Sequence, residues 1–511
     1  MYKNLFSVAA LTLLSRATGF VRDVMLGALL GAGLLADAFY VAFRLPNHFR
    51  AIFGEGAFNA AYVPCYSHIL AKGGKEAARH FASQIFTLLL ASQILLLALA
   101  LAFMPQVIDV LAPGFRDNPQ KFATAVTLTR ITFPYLLFVT LVTLQSGTLN
   151  AQGRFVAATF AQMLLNVVMI LFLSVAYRFP NAGVAAAVGV TVSGVCQFLL
   201  TFFALWRIGI HERLALGVWS KEVRQFFVVL GPAVIGSAGV QLALFADTII
   251  ASMLPTGGVS SIYYADRIYQ LPIGVIGIAA GTVLLPEMSR RLASGDHGGA
   301  YHAQNRTMAL SIAIAAPCFV AFIMIPDVIM RGIFLRGAFT ERAAEAAAAV
   351  LSAYGFGLVA IVLIRSAVAS FQAVRDTRTP MLISLFAVAI NIGLKLLLFR
   401  RMGAAGLATA TAAGAWINLV LLLAVAVGRG LMRPDWVLGK TAAVTSLAAF
   451  ALSVFALSCT LPAAKLAVRI GRFENEIELL LLLAGGGLVY ALVLGAGLHL
   501  WGVRLKRPAT A

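Results

Sequence analysis

Apolar segments of about 20 residues recur from one end of the chain to the other, separated by short polar connections. They fall at roughly 5–30, 36–64, 82–104, 124–149, 155–177, 183–206, 226–254, 260–286, 307–326, 346–372, 380–399, 404–428, 440–461 and 477–501. Each is long enough for an α-helix to cross the hydrocarbon core of a bilayer. The pattern predicts an all-α, polytopic membrane protein of about fourteen transmembrane helices, with no room for a soluble catalytic domain. Composition agrees: 61% of the 511 residues are hydrophobic and 12% charged, outside the range of a soluble globular chain of this length.

The polar positions inside these segments are the informative exceptions. Asp37 to Pro64 carries Asp37, Arg44, Arg50 and Glu55, and Pro46, Gly54 and Gly56 are expected to interrupt its helix. A charge at bilayer depth costs roughly 2.5–3.5 kcal/mol on insertion scales. Broken helices survive there only where protein or a water-filled cavity satisfies the freed backbone. The stretch therefore reads as the lining of a polar cavity. In the first span Ser15, Arg16, Gly19, Arg22 and Asp23 fall within a sector of about 120° at helical spacing. An alternative reading is that Arg22 and Asp23 simply pair and stabilise a bundle.

The chain contains an internal repeat. AFYVAFRLP ending at Pro46 matches IYYADRIYQLP ending at Pro272, and Val63-Pro64 matches Leu285-Pro286. Basic loops follow each, SHILAKGGKEAARH and SRRLASGDHGGAYH. Leu149-Asn150-Ala151 before Arg154 resembles Phe371-Gln372-Ala373 before Arg375, and Asn166 answers Asn391. The expected organisation is a six-helix lobe at 1–207, a second at 208–429, and two extra helices with a tail at 430–511. An even number of spans per repeat preserves orientation, so the lobes would be related by an axis along the membrane normal, with a central cleft.

The net charge of +19 is distributed as the positive-inside rule requires of a chain with both termini in the cytoplasm: about twenty Lys/Arg in inside loops and about eleven outside. That excess suits anionic lipid headgroups and not nucleic acid. About eight basic residues lie within spans: Arg16, Arg22, Arg44, Arg50, Arg130, Arg267, Arg365 and Lys395. The first two spans hold four of these arginines, whereas their counterparts offer chiefly Asp247, Asp266 and Arg267. Guanidinium groups bind phosphate bidentately, so an arginine-rich cleft points to an anionic, phosphate-bearing substrate.

No catalytic, cofactor or metal motif accompanies these groups, and the chain reads as a non-enzyme. Gly439-Lys440-Thr441 ends like a Walker A loop, but Pro434 stands where its first glycine belongs. Gly27/Gly31 and Gly277/Gly281 fit GxxxG and read as close helix packing. Cys65, Cys196, Cys318 and Cys459 are dispersed in apolar surroundings, which favours buried thiols over disulfide or metal ligation. Arg16 interrupts what would otherwise pass for a signal peptide, so residues 5–30 read as an uncleaved span.

SRATGFVRD at 15–23, ADAFYVAFRLPNHFR at 36–50, EGAFNAAYVP at 55–64, APGF at 112–115, ITFPY at 131–135, YYADR at 263–267 and GTVLLP at 281–286 together resemble the MurJ (MviN) family of lipid II flippases, within the multidrug/oligosaccharidyl-lipid/polysaccharide exporter superfamily. The resemblance runs essentially end to end. It implies fourteen helices, alternating access, and export of the undecaprenyl-pyrophosphate-linked disaccharide-pentapeptide across the bacterial inner membrane, with cell-wall synthesis proteins as potential partners. It also implies that Arg16, Arg22, Arg50 and Arg267, with Ser15 and Asn47, meet the substrate. Asp23, Asp37, Arg44, Glu55 and Asp266 would hold the arginines and form gates, and the last two helices would admit the lipid tail. Gln270 departs from relatives that carry an acidic residue there. Asp247 and Lys395 are expected at similar depth, with the lysine as an internal cation for the carboxylate; the competing expectation is that Lys395 snorkels to the headgroups. The runner-up function is an ion-coupled exporter of another amphiphile.

Overall fold

The computed structural model describes residues 2–50, 57–210, 212–215, 217, 219–279, 283–471 and 473–503, with the side chains of 2–9, 49, 50, 57, 233, 235–242, 278 and 279 set aside. Among the described residues there is no strand, and nine helical stretches are long and apolar enough to cross a membrane. The chain is an all-α, multi-pass membrane protein. Its contacts divide it into two compact units, Met1–Ser260 and Ser261–Ala511.

The first unit holds α1 (Tyr2–Leu30), α2 (Leu34–Arg50), α3 (Ala57–Ala102), α4 (Met104–Leu111), α5 (Pro119–Thr132), α6 (Pro134–Ala151), α7 (Phe155–Ser174), α8 (Ala182–Arg207) and α9 (Lys221–Ser252). Helix α2 runs through Pro46 without a break, contrary to the sequence expectation. The rest of the expected span 36–64 resumes in α3 at Ala57; residues 51–56, with Gly54, Glu55 and Gly56, lie outside the described residues. Gly74 (φ 71°, ψ −172°) breaks α3 into two helices. Phe58, Tyr62, Phe81 and Phe226 form the aromatic core where α3 meets α9. The rings of Tyr62 and Phe81 stack at 5.8 Å, and that of Phe226 stands edge-on to both. Helix α1 packs on α7, and α2 on α5.

The second unit takes most of α10 (Gly258–Ala279), then α11 (Leu285–Ala293), α12 (His297–Met324), α13 (Pro326–Phe334), α14 (Glu341–Gly355), α15 (Leu358–Ala373), α16 (Arg378–Gly428), α17 (Trp436–Ile470) and α18 (Glu474–Leu500). Gly403 (φ 57°) divides α16 as Gly74 divides α3. Helices α17 and α18 pack on each other and, through Ala448, Leu452 and Tyr490, on α12. The Tyr490 hydroxyl donates to the Ala313 carbonyl at 2.6 Å.

Backbone conformation recurs at the positions where the side chains match. Left-handed glycines recur at matching places: Gly31 and Gly257 before α2 and α10, and Gly74 and Gly295 in the two basic loops. The third pair corrects the side-chain match. Arg154 N donates to Leu149 O as Asp376 N donates to Phe371 O, so Arg375 is the counterpart of Gly153 and not of Arg154. Both adopt positive φ, 73° for Gly153 and 64° for Arg375, an uncommon conformation for a residue with a Cβ.

Candidate substrate-binding site

The polar stripe of α1 is built against α7. Arg22 donates through Nε and Nη2 to Asp23 Oδ1 (3.0 and 2.7 Å) and through Nη1 to Asn166 Oδ1 (2.8 Å). Asn166 in turn donates from Nδ2 to the Ser15 carbonyl at 2.9 Å. Gly19 makes this approach possible, because a Cβ there would stand 3.3 Å from Asn166 Nδ2. The guanidinium also lies 5.9 Å from the centre of the Phe43 ring on α2. Arg22 and Asp23 do pair, as the bundle reading supposed, and both are buried. Arg16 is different: it is exposed on the same helix, with no hydrogen bond or ion pair among the described residues.

On α2, Arg44 is partly buried, and one turn on, His48 Nε2 lies 3.3 Å from Thr248 Oγ1 of α9. Asn47 is partly buried on the same turn, whereas the side chain of Arg50 lies outside the described residues. Asp37 is fully buried, and among the described residues its partner is not an arginine. Its carboxylate accepts from Lys121 Nζ at 2.7 Å, Gly257 N at 2.8 Å, Ser260 N at 2.9 Å and Ser260 Oγ at 2.8 Å. Lys121 sits in the first turn of α5, its ammonium 4.2 Å from the centre of the Phe115 ring. This pair ties α2, α5 and the turn before α10 into one knot.

In the second unit α10 presents two unlike faces. Asp266, Gln270, Ile273 and Gly277 recur at helical spacing on one side, and Gln270 Nε2 donates to Asp266 at 2.5 Å. The Arg267 guanidinium lies 4.6 Å from the centre of the Tyr263 ring. Ile268 and Leu271 instead look into an apolar cavity of about 270 Å³, closed by Cys318 and Phe322 of α12, Leu452 of α17 and Leu482 of α18. Lys395 is buried in α16, and Asp247 is partly buried in α9 of the first unit. Asn391 packs where a Cβ on Gly414 would come within 2.9 Å, drawing the two halves of α16 together. The four cysteines are free, and no group of His, Cys, Asp and Glu that could hold a metal occurs among the described residues.

The sequence profile described as "Lipid II flippase MurJ" matches residues 26–474. The chain belongs to this lipid II flippase family. It is 39% identical over 436 residues to a Rhizobium meliloti protein named "Probable lipid II flippase MurJ", covering 84% of this chain and 81% of that one. A Burkholderia cenocepacia protein named "Lipid II flippase MurJ" is 32% identical over 442 residues, covering 85% of each. Among solved structures, "Lipid II flippase MurJ, inward closed conformation" covers 97% of this chain and 99% of its own, with a TM-score of 0.80 at 22% identity. An inward-facing MATE-family multidrug transporter follows at 0.67 and 16%, covering 82% and 95%. At those identities the two structures speak to fold alone.

Asn166, Lys121 and Glu212 are the polar residues of this MurJ-family chain that the site reading of the sequence missed. Asn166 left a trace as one half of a repeated asparagine; the other two left none. Glu212 lies in the 208–220 connection, which the second half of α3 grips through Ser83, Gln84 and Thr87. Its Oε2 accepts from Gln145 Nε2 at 2.9 Å, while Oε1 is buried without a partner, near Tyr62 and Tyr66. Burial lifts this carboxyl from the ordinary 4.5 to about 7. The folded state therefore keeps a proton that the unfolded chain releases. The resulting stability is full below about pH 4.5 and is lost as pH rises through about 7. Glu212→Gln is expected to flatten that dependence, and thermal unfolding in detergent from pH 5 to 8 measures it. An unchanged slope in the variant would contradict the assignment.

Proposed function

We propose that the chain carries lipid II across the bacterial inner membrane by alternating access between its two units, with both termini in the cytoplasm and about fourteen crossings. It transports the precursor without chemical change. Arg16 carries this reading within the family: an exposed guanidinium on the polar stripe of α1, without a partner among the described residues, is supplied with donors for an anion that arrives from elsewhere. Arg16, Arg22, Arg50 and Arg267, with Ser15 and Asn47, bind the diphosphate and adjacent sugars. Asp23, Asp37, Arg44, Glu55 and Asp266 hold the binding groups and gate access. The cavity lined by α17 and α18 takes the start of the prenyl tail, since apolar walls of that kind exclude a charged headgroup. Asp247 and Lys395 act as a coupling pair in place of a bound sodium ion. Sodium-dependent transport by the unmodified protein would contradict that last assignment.

The deciding experiment is depletion in cells, with lipid II expected to accumulate on the cytoplasmic leaflet. A single substitution probes the tail cavity. Gly487 lines it, and a Cβ there meets nothing within 4 Å, so the side chain of Gly487→Leu starts into open space. Reconstituted Gly487→Leu is expected to translocate undecaprenyl-linked substrate several-fold more slowly and a short-chain analogue at the unmodified rate. Equal rates on the long-chain substrate would remove the tail from this cavity.

A further inference from the structure

Helix α15 reads LVAIVLIRSAVASFQA, and Arg365 is its one charged residue. The helix buries Val362, Leu363, Ser366, Ala367 and Ser370, but Arg365 is exposed. The guanidinium rests on the backbone of α10 at Gly277. A Cβ built there would come within 2.8 Å of Arg365 Cζ and 2.9 Å of Nε and Nη1. Gly277, half of a GxxxG pair, is thus small to seat an arginine and not only to bring two helices together.

Arg365 has no hydrogen bond or ion pair among the described residues. Some arginines of this unit are engaged, Arg291 with Glu287 and Asp296, Arg336 with Glu476, and Arg429 with Asp376, but Arg365 lies within a buried apolar helix and is not. An unpaired charge in an apolar helix is costly, and such residues face a cavity or a partner. The seat points the same way. At 100° per residue Gly277 shares the face of Asp266 and Gln270, about 16 Å further along α10 than Asp266 and about 10 Å further than Gln270 at 1.5 Å per residue. The lipid-like face, with Leu271 at 46% and Val275 at 64% exposure, lies on the opposite side.

We propose that Arg365, seated on Gly277, is an additional binding residue that receives an anionic oxygen group of the transported headgroup. This rests on the lipid II reading. Its planar fork suits a phosphate and a carboxylate equally, so the anion is either the diphosphate or a carboxylate of the pentapeptide. Gln or Lys at 365 and Ala at 277 are good helix formers for α15 and α10, and Arg365 has no buried partner among the described residues to strand.

Binding of lipid II and of undecaprenyl diphosphate to the purified full chain tests the proposal, using Arg365→Gln, Arg365→Lys and Gly277→Ala. Arg365→Gln is expected to weaken lipid II binding about tenfold, the size of one charge-assisted hydrogen bond, with partial recovery in Arg365→Lys. Gly277→Ala should reproduce the loss with the arginine still present, because the added methyl displaces the guanidinium. A loss on both ligands assigns the diphosphate; a loss on lipid II alone assigns a peptide carboxylate. Lipid II binding within twofold of the unmodified chain in Arg365→Gln and Gly277→Ala would overturn the proposal and leave the flippase reading standing. Failure of the unmodified chain to bind lipid II above an undecaprenol control would overturn both.

Discussion

Lys121→Met is expected to destabilise the first unit by about 3–5 kcal/mol, because it strands a buried carboxylate. Asp37 would keep three neutral donors, Gly257 N, Ser260 N and Ser260 Oγ, but lose the one cation it meets among the described residues. Asp37→Asn should cost a similar amount for the mirror reason, since the Lys121 ammonium is equally enclosed and left only the Phe115 ring. The double variant Asp37→Asn, Lys121→Met should recover much of the loss, as a neutral pair needs no compensating charge. Chemical unfolding of all three in detergent measures this. Additive losses would mean that the two groups act independently, against the 2.7 Å contact between them.

Arg16→Ala should reduce lipid II translocation at least tenfold while leaving the unfolding midpoint unchanged. Arg22→Ala should lower both. The two arginines are six residues apart on one helix, but only Arg22 is woven into the protein, through Asp23 and Asn166. Removing it takes away the guanidinium that meets the buried Asp23 carboxylate at 2.7 Å; removing Arg16 subtracts donors that no described residue uses. Charge-assisted hydrogen bonds contribute roughly 1.5–3 kcal/mol each, which sets the expected loss at about 10- to 150-fold. Arg16→Lys should restore part of it, since the charge survives and the bidentate fork does not. Proteoliposome translocation beside thermal unfolding separates the two effects. Normal translocation by a folded Arg16→Ala would remove this residue from the substrate path.

The repeat shows how far a one-dimensional reading reaches. Matching side chains aligned Arg154 with Arg375, yet the backbone aligns Gly153 with Arg375. Identity of a charged residue misled because surface arginines are interchangeable with neighbours, whereas the left-handed residue that ends a helix is fixed by hydrogen-bond geometry. Pro46 misled in the opposite direction: α2 continues through it as far as the described residues run, to Arg50.

What the sequence by itself determined is everything local to the chain: the all-α membrane class from the length of the apolar runs, the stripe of Ser15, Arg16, Gly19, Arg22 and Asp23 from helical period, and the duplication from recurring glycines and prolines. What only the tertiary structure decided is which charges are answered. Asp37 meets Lys121 across 84 positions, Arg22 meets Asn166 across 144, and Arg365 settles on Gly277 without a partner among the described residues. The reason is physical. In lipid, helix faces that pack against protein and faces that meet acyl chains are about equally apolar, so hydropathy does not say which helices touch. Pairing of buried charge follows from those contacts, and it exists only once the helices have packed.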